Sequence, residues 1–81
     1  MNNKIATKEF IENEILDLII AFAKNDDSFW SLLIKRLLVH NCTEYEISNA
    51  VESTIDNLNK KLFIADIIQP ILAKRMEHIV D

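Results

Sequence analysis

Few residues in this chain are of types that do chemistry, and their spacing limits what they could do. His40-Asn41-Cys42 places two metal-ligating side chains close together, and His78 and Asp81 could add two more. Zinc sites carry paired Cys or His at fixed short spacings, and no such pairing occurs here. Cys42 is the single cysteine, so it closes no intramolecular disulfide, as expected of a reducing compartment. A thiol near a helix start can have a lowered pKa, but one small residue in a turn is ordinarily inert. Glu9, Glu12, Glu14 and Asp17 gather four carboxylates in one stretch. Paired carboxylates work as acid and base only inside a shaped, partly dry pocket, and on a short amphipathic helix they read as a solvated face. The two histidines, both near helix ends, support no Ser–His–Asp or Cys–His arrangement. The expectation is a protein that is not an enzyme and takes no cofactor and no metal.

Basic side chains come in three pairs, Lys35-Arg36, Lys60-Lys61 and Lys74-Arg75, within a chain of net charge −4. That balance disfavours a general attraction to nucleic acid. Paired basic residues in helices usually flank apolar stripes and lay their stems along them. Arg36 falls between Phe29 and Leu32 on a helical wheel, and Arg75 falls near the middle of an apolar stripe. Each therefore needs a carboxylate, helix-end carbonyls or a route to solvent, because a buried unpaired guanidinium is costly.

The elements that position these residues follow from composition and periodicity. Eighty-one residues make one domain, 1–81, with no glycine and one proline, Pro70. Without glycine the φ > 0 positions of tight hairpins and phosphate-cradling loops are hard to supply. The fold class is all-α, a compact bundle of about four helices, with residues 1–6 expected to fray. Thr7 caps a first helix, about 8–23, whose core face is Ile11, Ile15, Leu18, Ile19 and Phe22. Leu16 and Ile20 lie on another flank, beside Glu9 and Glu12. Asn25 suits a left-handed helix end, and Asp26 or Asp27 can cap the next helix, about 28–40, which stops at Asn41.

That second helix is the most apolar. Trp30, Leu33, Ile34, Leu37 and Leu38 recur at i, i+3, i+4, i+7 and i+8 and should all be largely buried, with Trp30 as a core anchor. Phe29, Leu32 and Val39, with Arg36, make a second stripe on the neighbouring face. Thr43-Glu44-Tyr45-Glu46 fits a capping box that opens a third helix, about 44–58, with one clean stripe through Ile47, Ala50, Val51, Thr54, Ile55 and Leu58. Leu62-Phe63 returns to the core. A fourth helix, about 64–79, keeps Ile64, Ile67, Ile68, Ile71, Leu72, Met76 and Ile79 in one phase across Pro70. It is expected to be kinked there, or split with Pro70 at a new first position.

Residues 9–72 resemble a small helical module of phage-type replicative helicase loaders and replisome organisers. The residues that carry the likeness are Phe29-Trp30-Ser31-Leu32-Leu33, Glu46-Ile47-Ser48-Asn49-Ala50-Val51 and Phe63-Ile64-Ala65-Asp66-Ile67-Ile68. The family usually has proline just after the last aromatic, where this chain has Ile64, and this chain stops at Asp81 without the long flexible tail that loaders use on the helicase. The resemblance implies a helical replication accessory domain that binds another protein, such as a replicative helicase or another host replication or defence factor.

The residues themselves point the same way. The third helix shows that one apolar face suffices, yet the first two helices each carry a second set. Leu16, Ile20, Phe29, Leu32, Arg36 and Val39 are therefore the candidate protein-binding residues, for a separate target or for a homodimer. A small DNA-binding domain using the dibasic pairs, or a self-associating structural module, are the competing classes. The longest uninterrupted apolar run, Leu18 to Ala23, is far too short to span a bilayer, and the N-terminus lacks a signal-peptide pattern, so a cytoplasmic protein with no membrane partner is expected.

Overall fold

Thr7 stands in extended backbone before α1, Lys8–Phe22, and its hydroxyl accepts the Phe10 amide at 3.1 Å. The structure, a computed structural model, describes the backbone of residues 4–79 and the side chains of 4–77. α1 ends one residue earlier than its periodicity suggests. Ala23 takes the left-handed conformation, φ 49°, and the Lys24 amide reaches back to the Ile19 carbonyl at 3.3 Å. Asn25, expected at that position, is not the left-handed residue. With no glycine in the chain, the described residues with positive φ are Ala23 and Asn41. Asparagine tolerates that region, whereas alanine holds it against the steric cost of its Cβ.

α2 spans Asp27–Val39, one residue earlier at each end than expected, with Asp26 as its cap. The Asp26 carboxylate accepts the Phe29 amide at 3.2 Å. α3, Glu44–Ile55, opens on the expected capping box. The Thr43 hydroxyl accepts the Glu46 amide at 3.1 Å, and the Thr43 amide donates to Glu46 Oε1 at 2.9 Å. It stops before Leu58, which is exposed on the link to α4 instead of closing the stripe. α4, Ile64–Ile79, continues through Pro70 as one helix. The Asp66 carboxylate accepts the Phe63 amide at 2.9 Å at its start.

α1 packs on α3 and α2, and α4 packs on α3 and α2, which makes a four-helix ring around one core. Its fully buried large side chains are Ile11, Leu18, Leu33, Leu37, Ile47 and Ile67. Trp30 is buried too, its indole N–H donating to the Lys24 carbonyl at 2.8 Å. Two members of the α2 stripe depart from expectation: Ile34 is half-buried and Leu38 is 37% exposed. They stand at one margin of the stripe, and the core takes the other side, through Leu33, Leu37 and Trp30. Met76 and Phe63 are likewise exposed, Phe63 with the Lys61 ammonium 5.4 Å from its ring centroid.

Residues 1–3 of the stretch expected to fray lie outside the described residues, whereas residues 4–6 are hydrogen-bonded to the rest of the fold. The Ala6 amide donates to the Cys42 carbonyl and the Glu44 amide to the Lys4 carbonyl, both at 2.9 Å, so Ile5 and Thr43 form an isolated antiparallel bridge. Burial of Ala6 fixes this arm against the α2–α3 turn.

Candidate functional site

The second apolar set on α1 and α2 is largely open to solvent. On α1, Leu16 is 51% and Ile20 77% exposed, one helical turn apart. On α2, Leu32 is 43% and Val39 72% exposed, two turns apart on one flank. Arg36 lies exposed between their levels. Phe29 differs from the other five candidates. It is half-buried against the core, edge-on to Trp30 with ring centroids 4.8 Å apart, and the Lys24 ammonium sits 4.7 Å from its centroid. It braces Trp30 at the base of the α2 flank and offers only part of its ring outward.

These side chains sit outside the core for a simple geometric reason. A helix in contact with two neighbours buries one broad stripe, and the α1 and α2 stripes are already filled by Ile11, Ile15 and Leu18 and by Trp30, Leu33 and Leu37. Leu16, Ile20, Leu32 and Val39 lie on the far side of each helix, roughly 130–170° round from that stripe, and stay largely in solvent. The charges around them differ in sign. From Glu9 to Phe22 every charged residue is acidic, and from Ser28 to Asn41 every one is basic.

A second constellation gathers at the α2–α3 turn. Arg75 of α4 donates from Nε and Nη2 to the two carboxylate oxygens of Glu46, both at 2.7 Å, and from Nη1 to the His40 carbonyl at 2.9 Å. Nη2 also reaches the Asn41 carbonyl at 3.4 Å. The requirement read for Arg75 from sequence, a carboxylate or helix-end carbonyls, is met by both. This forked hydrogen bond holds the Glu46 carboxyl below its ordinary range, with help from the Thr43 amide and against the effect of burial. Burial pushes the Cys42 thiol up, and the Arg75 charge offsets only part of that. The thiol is free and buried, and burial disfavours its thiolate form.

Among the described residues no three His, Cys, Asp or Glu side chains stand together as a metal ion would need. The His78 side chain and Asp81 lie outside the described residues. A cavity of about 180 Å³ opens between the α3 end and the start of α4, floored by Phe22, Leu62 and Pro70 with Lys60 and Lys61 at its edge. Its carboxylate, Asp66, is engaged by the Phe63 amide and by Lys60 at 3.9 Å, leaving no poised acid–base pair. No helix among the described residues is long and apolar enough to cross a membrane. No protein-family model, curated protein or solved structure matches the chain.

Proposed function

We propose that the chain is a non-enzymatic protein-binding module, a replication accessory domain of the helicase-loader kind that binds or inhibits a replicative helicase or another host replication or defence protein in the cytoplasm. The observation that carries this reading is the exposure of Leu16, Ile20, Leu32 and Val39 on two helices whose core faces are already full. Large apolar side chains held out of a completed core on two helices support a binding surface. The resemblance of residues 9–72 supplies the replication setting.

The competing DNA-binding reading loses two of its cations. Arg75 is committed to Glu46 and helix-end carbonyls, and Lys60 lies 3.9 Å from Asp66. The remaining basic residues sit on a chain of net charge −4, too little for phosphate contacts to drive binding.

Leu32→Asp is the test. Leu32 is partly in solvent already, so the variant should keep its helical circular dichroism and a cooperative melt. It should lose the partner that the parent protein retains in affinity capture, because a carboxylate would be desolvated at the contact. Unfolding of the variant, or undiminished capture, would withdraw the reading.

A further inference from the structure

The exposed faces of α1 and α2 are complementary to each other. On α1, Leu16 follows Glu12 by one turn and Ile20 stands one turn beyond, with Asp17 beside it; all four side chains are exposed. On α2, Leu32 and Val39 lie between Lys35 on one side and Arg36 on the other, again all exposed. One face is thus aliphatic with an acidic border, and the other is aliphatic with a basic border. Glu12, Asp17, Lys35 and Arg36 take part in no ion pair among the described residues, so neither border is neutralised within the protomer.

We propose that the partner of this surface is a second copy of the chain, in a two-fold dimer that lays α1 of each protomer on α2 of the other. This rests on the reading of the surface as protein-binding and narrows it: the surface is filled by the second copy, and a replication factor would meet the dimer elsewhere. A two-fold interface must be self-complementary, with a patch and its counterpart both present on every protomer. Two aliphatic faces with borders of opposite sign, on adjacent helices of one chain, meet that condition. A dimer would satisfy both at once. The net charge of −4 does not oppose it. At physiological ionic strength the screening length is about 8 Å, so charges across the contact dominate over the summed charge of each copy. Opposite borders fix the pairing of α1 with α2 and reject α1 on α1 or α2 on α2, where like charges would meet.

Charge reversal tests this without touching the core. Sedimentation of the parent protein from micromolar to millimolar concentration should show a mass rising from 9.4 kDa to twice that and no further. Lys35→Glu with Arg36→Glu should weaken self-association by about tenfold or more, and so should Glu12→Lys with Asp17→Lys, each with the melting midpoint unchanged at concentrations where the parent is monomeric. An equimolar mixture of the two variants should dimerise again, since each reversed face then meets its opposite. A parent protein that stays at 9.4 kDa throughout overturns the inference, as do reversals without effect or a mixture that stays monomeric. Growth past the dimer overturns the two-fold closure. A monomeric parent whose captured foreign partner is still lost on Leu32→Asp would end this inference and leave the protein-binding reading standing.

Discussion

Arg75 reaches three groups that lie 29 to 35 residues earlier in the chain, and Glu46 serves two masters, the guanidinium and the helix it caps. That sharing has a pH signature. The folded-state pKa of Glu46 lies below its unfolded value of about 4.3, so its contribution is fully present above that value and is lost as pH falls through the folded pKa. Glu46→Gln should therefore be less stable than the parent near neutrality, and its melting midpoint should fall less steeply from about pH 5 downward. Identical acid limbs for the two proteins would show that the pair carries no linkage. The need of Arg75 for a carboxylate or for helix-end carbonyls was legible in its place on an apolar stripe. Which carboxylate was not, because nothing in local spacing links positions 46 and 75.

Helix starts were easier to read than helix ends. Thr7, Asp26 and Thr43 each advertise a start by a short side chain that accepts an amide three residues on, and the structure uses all three. Thr43→Ala should cost about 0.5–2 kcal/mol, read as a lower urea midpoint at unchanged slope, since it strips the Glu46 amide of its acceptor without opening a cavity. A midpoint equal to that of the parent would mean that water replaces the hydroxyl fully. Ends were misplaced for a physical reason. Leu58 keeps the phase of the α3 stripe, but the α-helix ends at Ile55 and the chain passes through turns from Asp56, so the paper phase no longer applies. Nothing in the sequence marks Ala23 as a helix end, because a left-handed alanine is unfavourable by itself, and the amide–carbonyl bonds that it and Lys24 make back to α1 accompany that conformation.

For the molecule as a whole, the absence of glycine and the repeated i, i+3, i+4 spacing were enough to indicate helices alone, and four helices with no named strand are what the described residues form. Leu33, at the middle of the α2 stripe, has no exposed surface, and Leu33→Ala should cost about 2–5 kcal/mol by removing packed atoms and leaving a void. For a small domain that is a large part of its total stability, so the variant should melt far lower or not fold at all. A midpoint within a few degrees of the parent would place the core elsewhere. The candidate surface was legible only as a surplus. Periodicity shows that Leu16 with Ile20, and Leu32 with Val39, share a face, but not whether a neighbour covers it. Phe29, grouped with them by spacing, is instead drawn under Lys24 and against Trp30.

The α2–α3 turn has a consequence for the order of events during synthesis. Its backbone is fastened from one side by residues 4–6 and from the other by Arg75. The first fastening becomes available as soon as residue 44 has emerged from the ribosome. The second waits for almost the whole of α4. Until then the carbonyls of His40 and Asn41 are left to water, and the Glu46 carboxylate has only its own helix cap to hold it. The central turn thus gains its last hydrogen-bond partners only when residue 75 is available.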